Sequence, residues 1–122
     1  MAANKIVRIG PVILSATLTT NIVNPNATSG GVGMGTPNTY LVLRHVRISN
    51  KTGSAATVSL WIGATGGNSA GTEFAFSAVS VPANSYVDWY GQVRLDAADF
   101  LVGGAGTGSA LTLTAEGEAG IA

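Results

Sequence analysis

The 122-residue chain reads as an all-β protein, an antiparallel β-sandwich of about eight strands with a jelly-roll-like arrangement. Three observations lead there. No segment keeps apolar residues at the spacing of an amphipathic helix. β-Branched and aliphatic residues come instead in short runs whose polarity alternates residue by residue, the mark of half-buried strands. Between the runs stand clusters of Gly, Asn, Pro and Ser, which supply turns.

Taken in order, residues 5–9 (KIVRI) predict a short strand, ended by Gly10-Pro11 because proline has no amide hydrogen for a ladder. Residues 12–23 (VILSATLTTNIV) resume as one or two strands. Residues 24–38 (NPNATSGGVGMGTPN) predict a long loop. Residues 39–50 (TYLVLRHVRISN) form the strongest strand, with Val46 and Ile48 inward and His45 and Arg47 outward. After a turn at 51–55 the chain returns over 56–62 (ATVSLWI). Ala56, Val58, Leu60 and Ile62 share one face there, and Thr57, Ser59 and Trp61 the other.

A flexible loop follows at 63–71, then a strand over 73–81 (EFAFSAVSV), closed by Pro82-Ala83-Asn84. Residues 85–95 (SYVDWYGQVRL) form the next strand, with Gly91 marking a bulge or bend. Asp96 to Asp99 turns the chain into Phe100-Leu101-Val102. Residues 103–109 (GGAGTGS) predict a Gly-rich turn, and 110–116 (ALTLTAE) the last strand, with Leu111, Leu113 and Ala115 inward. All of this fits a single domain, 1–122. Within it, residues 1–38 form either ordinary strands with a Gly-rich loop or an N-terminal arm that pairs with a neighbour's sheet edge.

Charge is scarce. Asp, Glu, Lys and Arg make up 10% of the chain, against about 25% in a typical soluble domain. Charged side chains keep a free surface soluble and discourage association. Their scarcity therefore suits a molecule partly covered by neighbours; a surface of Ser, Thr, Asn and Gly is the other way to reach it. The charges are also segregated. Lys5, Arg8, Arg44, Arg47 and Lys51 come early, and only Arg94 comes later. Glu73, Asp88, Asp96, Asp99, Glu116 and Glu118 all come late. Either the two halves pair inside one sandwich, or a basic face of one subunit meets an acidic face of the next. The basic residues are too few and too dispersed to expect nucleic acid as a partner. Apolar runs are too short for a membrane-spanning helix, and residues 1–23 show no signal-peptide pattern.

Reactive side chains are nearly absent, so no enzyme, no cofactor and no metal site is expected. There is no cysteine. The one histidine, His45, lies mid-strand, and no serine sits in a G-x-S-x-G turn. Asp96 and Asp99, separated by two alanines, fit turn capping better than a calcium site, which wants six to eight oxygens. The glycine clusters GGVGMG and GGAGTG lack the lysine of a phosphate loop. What remains is a contact surface. Arg44, Arg47, Trp61, Trp89 and Tyr90 are its candidates, because Arg, Trp and Tyr dominate binding hot spots. For Trp61 the other reading is a residue capping the edge of the core.

The stretch LRHVRISNKTGSAATVSLWIGATGG, followed by VSVPANSYVDWYGQVRLDAADFLVGGAGTGSALTLTAEGE, resembles small virion proteins of tailed bacteriophages. The resemblance covers roughly residues 39 to 118 and rests on an N-x-x-G-S-A-A-T-V turn and strand, a V-x-V-P-A-N start, and an L-x-x-x-D-x-L turn before a threonine-rich strand. Richness in Ala, Gly and Thr is similar to phages of actinobacteria. The resemblance implies a non-catalytic β-sandwich made in the host cytoplasm and built into the virion. Its first form is a capsid decoration (cement) protein on the major capsid protein lattice, as a homo-oligomer with a trimer favoured. The alternative is a minor tail or tail-fibre component touching the host surface among other tail proteins. A carbohydrate-binding module is the remote third.

Overall fold

The computed structural model describes residues 5–25, 27–28, 38–64, 67, 70–96 and 98–121. Its strands, in chain order, are β1 (Lys5–Ile13), β2 (Asn21–Asn24), β3 (Ala27–Thr28), β4 (Asn38–Asn50), β5 (Ala56–Gly63), β6 (Val79–Val81), β7 (Ser85–Asp96), β8 (Phe100–Ala105) and β9 (Leu111–Ile121). They form a four-stranded sheet, β1-β9-β4-β7, and a five-stranded sheet, β3-β2-β8-β5-β6. The two pack as a β-sandwich, and every paired neighbour is antiparallel.

Leaving aside the two-residue β3, the pairing is nested. The first strand pairs with the last (β1-β9), β2 with β8, β4 with β7 and β5 with β6. That is a long antiparallel ribbon wound on itself, the jelly roll.

Alternation builds the core between the sheets. Val46 and Ile48 of β4, Ala56, Val58 and Leu60 of β5, and Leu111, Leu113 and Ala115 of β9 are all buried. Leu41, Leu43, Leu95 and Leu101 complete its centre at full burial, each such side chain stabilising the fold by about 1.5–3 kcal/mol. The inward set of β4 changes phase, from Leu41 and Leu43 to Val46 and Ile48. Between Leu43 and His45 the register shifts against both neighbours. The step from Leu43 to His45 spans Gly117 to Glu116 on β9, but Val93 to Tyr90 on β7. Extra residues thus accumulate outward across the sheet and bend it. Gly91, foreseen as a bulge, lies in that step. A Cβ there would meet the Trp89 ring at 2.7 Å.

One buried polar residue ties the sheets together. Asn50, fully buried, donates from Nδ2 to the carbonyls of Ser54 (2.9 Å) and Val81 (3.0 Å). Its Oδ1 accepts from the Thr52 amide (2.9 Å) and hydroxyl (2.7 Å). The β4–β5 turn is thereby fastened to β6.

Several elements differ from their sequence expectation. Gly10-Pro11 does not end the first strand; β1 continues through it to Ile13, with a register shift between Ile9 and Val12. An edge strand needs ladder hydrogen bonds on one side only, so it tolerates proline. Residues 12–23 divide, with Val12 and Ile13 in β1 and Asn21 onward in β2. The connection between them is held against β8 by Ala105 N to Ser15 O (2.9 Å) and Gly103 N to Thr20 O (3.0 Å). β1 and β2 are thus members of the two sheets.

The region expected as a long loop contains β3 at its start; residues 26 and 29–37 lie outside those described, as do 65, 66, 68 and 69 of the expected loop at 63–71. The strand expected over 73–81 shrinks to β6. Positive φ at Ala75 (62°) and Ala78 (52°) kinks the segment, although Phe74 and Phe76 still exchange backbone hydrogen bonds with Leu60 at 2.8 and 2.9 Å. Gly103 and Gly104, expected in a turn, belong to β8. A Cβ would stand 2.1 Å from Ser59 O at the first and 2.3 Å from Ser15 O at the second, so these glycines mark close backbone approach. The last strand runs on to Ile121.

Candidate functional site

The outer face of the four-stranded sheet carries most of the charged side chains, laid out in rows by the register. Arg8, Glu116, His45 and Tyr90 stand opposite one another across β1, β9, β4 and β7. The next row holds Thr114, Arg47 and Asp88, and the one beyond it Ile13, Thr112, Ser49 and Tyr86. Alternation dictates this. Tyr86, Asp88 and Tyr90 are two apart on β7, as are His45, Arg47 and Ser49 on β4, so each set shares a face.

Asp88 is the centre. Its side chain is 15% exposed. Arg47 grips it with two hydrogen bonds, Nε to Oδ1 at 2.8 Å and an Nη to Oδ2 at 3.2 Å. His45 Nε2 lies 2.9 Å from Oδ1. The Arg47 hydrogen bonds hold the Asp88 carboxyl below the usual carboxylate range, against the opposing effect of burial, with His45 adding to the depression. The same pair raises the Arg47 pKa. Both side chains are also backed by a ring: Arg47 lies 4.2 Å over the centre of Tyr86, and His45 stacks on Tyr90 at 4.6 Å and 10°. His45 Nδ1 faces Glu116 at 3.6 Å. Farther along, Arg44 pairs with Glu118 at 3.0 Å, and Arg94 pairs with Asp96 at 2.7 Å while covering Tyr40.

Arg47–Asp88 and Arg44–Glu118 join a basic early strand to acidic late ones, whereas Arg94–Asp96 lies within β7. Pairing within one chain thus accounts for Arg44 and Arg47. Arg8 makes no ion pair among the described residues.

The second sheet is a contrast. β2, β3, β5, β6 and β8 contain no Asp, Glu, Lys or Arg at all. Its outer face presents Thr57 and Ser80 openly, with Ser59 and Trp61 half-buried.

The five candidate contact residues therefore do not form one patch. Arg44, Arg47 and Tyr90 share the outer face of the first sheet. Trp89, adjacent to Tyr90, points the other way, packs against the core and meets Phe74 edge to face at 4.7 Å. Trp61 lies in the second sheet opposite the buried Val102, and its Nε1 is buried without a hydrogen-bond partner among the described residues. Arg8, Tyr86 and Asp88 join the face without having been singled out as contact residues. The Tyr-x-Asp-x-Tyr spacing in β7 is the signal that places the last two.

Among the described residues no group of three or more His, Cys, Asp or Glu gathers to hold a metal ion. His45 is bracketed by two carboxylates and a tyrosine ring, and no serine or threonine hydroxyl among these residues bonds to it. The Asp96–Asp99 turn closes on itself: Asp99 N donates to Asp96 O, and Asp96 N to Asp99 Oδ2, both at 2.9 Å. No helix in the described chain is long and apolar enough to cross a membrane.

The Arg47–Asp88 pair sets an acid limit on stability. A carboxyl whose pKa is lower folded than unfolded contributes stability above its unfolded pKa of about 3.9, lost as pH falls through the folded value. Urea unfolding from pH 6 downward should therefore show stability falling on the acid side, and Asp88→Asn should flatten that fall while lowering stability at neutral pH. An unchanged acid profile in the variant would contradict this origin.

Compared with known proteins, the chain matches no protein-family model, no curated protein and no solved structure.

Proposed function

We propose that the chain is a structural component of a bacteriophage virion, foremost a capsid decoration protein seated on the major capsid lattice. The observation that carries this is the five-stranded sheet without a single charged residue. Strands with no charge to hydrate, flanked by exposed Glu73 where it bridges to Trp61, are inexpensive to cover with another protein, whereas charged groups are depleted from the centres of interfaces because their desolvation is costly. The wound ribbon adds support, since jelly rolls serve viral capsids; they also serve lectins and cupins, so fold alone does not decide function. Bound to an assembled shell, such a protein opposes disassembly by mass action.

A second reading, a minor tail or tail-fibre component that touches the host surface, draws on the exposed Tyr86 and Tyr90 beside polar groups on the opposite face. Aromatic faces flanked by hydrogen-bonding groups suit protein and sugar surfaces alike. Quantitative mass spectrometry of purified particles separates the two. A capsid decorator is expected at a copy number comparable to the major capsid protein, a tail component at a small fraction of it. Absence from particles would sink both. A carbohydrate module, the remaining alternative, would show glycan-array binding that Tyr90→Ala abolishes.

A further inference from the structure

We propose that the chain assembles head to tail with copies of itself, the β1 edge of one four-stranded sheet against the β7 edge of the next, into a closed ring. This rests on the assembly reading above and names a second copy of the chain as one partner. β1 and β7 are the end strands of that sheet, and no described strand lies beyond either. An open edge is a row of backbone donors and acceptors ready to receive another strand. Direction alternates across β1-β9-β4-β7, so β1 and β7 run oppositely. Simple continuation of the sheet therefore lays a neighbour's β7 antiparallel to β1.

The exposed side chains on the two edges are complementary. Ile6 on β1 is 90% exposed, and on β7 Tyr90 is 69% and Tyr86 53% exposed. In the register that sets Arg8 opposite the neighbouring copy's Asp88, Ile6 meets its Tyr90 and Gly10-Pro11 meets its Tyr86, all on the outer face. Arg8 is a guanidinium without an ion-pair partner among the described residues. Asp88 uses three acceptor positions of roughly four. Opposite charges and aliphatic–aromatic pairs are favourable cross-strand neighbours.

A two-fold pairing of β1 with itself brings Arg8 near its own copy and leaves both tyrosines uncovered. A nine-residue edge about 30 Å long on a sandwich some 20 Å deep offers roughly 600 Å² per copy, the lower end of what stable interfaces bury. Head-to-tail contacts close into rings when the rotation permits, and closure covers both edges at once.

Size-exclusion chromatography with light scattering on the full chain tests this. The unmodified protein is expected to form a discrete oligomer larger than a dimer. Ile6→Asp, Arg8→Glu and Tyr90→Asp should each weaken association at least about tenfold with circular dichroism unchanged. An equimolar mixture of Ile6→Asp and Tyr90→Asp retains one intact contact and should give a heterodimer. Three results would overturn the ring: a monomer at every concentration, no heterodimer on mixing, or Tyr90→Asp assembling like the unmodified chain. A monomer that is nevertheless found in particles would remove the ring and leave the virion proposal standing.

Discussion

Asn50→Asp is expected to destabilise the fold by about 3 kcal/mol or more, among the largest effects of any single-atom-scale change in the molecule. The side chain is fully buried and makes four hydrogen bonds, donating two and accepting two. A carboxylate keeps the acceptor role toward Thr52 but turns an oxygen toward the carbonyls of Ser54 and Val81. Ionised, it is a buried charge facing two partial negative charges; protonated, it satisfies only one of the two carbonyls. Asn50→Ala removes the bonds without adding repulsion and should cost less, about 2 kcal/mol, for the groups left unsatisfied. Urea midpoints of the two variants, at unchanged slope, check the ranking. If the Asp variant proves as stable as the Ala variant, the amide's donors do not matter as described.

Gly117→Val should cost about 3 kcal/mol or more and leave little folded protein. Gly117 pairs with Leu43 in the centre of the four-stranded sheet. A Cβ added there would stand 2.0 Å from the backbone oxygen of Val42 and 2.9 Å from its carbonyl carbon. Those atoms belong to β4 itself and cannot rotate aside, so the two central strands would have to separate. Gly53 is the control. A Cβ there meets nothing within 4 Å, and Gly53→Ala should be near neutral. Thermal unfolding of both variants distinguishes local crowding at Gly117 from a general intolerance of substituted glycines.

The strands that alternate cleanly were legible in the sequence. In β5 and β9 the inward and outward sets match the observed burial residue by residue, apart from half-buried Ile62. The β4 bulge also leaves a trace, since Arg44-His45 interrupts the alternation of the leucines before and the apolar pair after. Glycines and prolines misled in both directions. Gly10-Pro11 resembles a break but lies within an edge strand, and Gly103-Gly104 resembles a turn but lies where two backbones crowd. Composition does not distinguish freedom of the backbone from lack of room for a Cβ. At 73–81, Phe74 and Phe76 announce burial correctly, while the kinks at Ala75 and Ala78 carry no turn residue to reveal them.

At the surface, the grouping of side chains was not legible. Trp89 and Tyr90 look like one aromatic pair in the chain, yet adjacent strand positions face opposite sides of a sheet. The Arg47–Asp88 pair joins residues far apart in sequence, and the choice of partner depends on strand order, which alternation does not encode.

The nesting of first strand against last has a consequence for how the molecule comes into being. β9 lies between β1 and β4, so the four-stranded sheet has a gap at its middle until β9 has been synthesised and has left the ribosome. Most pairings join distant parts of the chain, and such topologies fold slowly, on the order of milliseconds to seconds. During that interval β1 and β4 each expose an unpaired flank to every other nascent copy nearby. Production at high expression rates should thus be sensitive to temperature and to chaperone supply. A chain truncated before Leu111 should be recovered as aggregate rather than as a smaller sandwich.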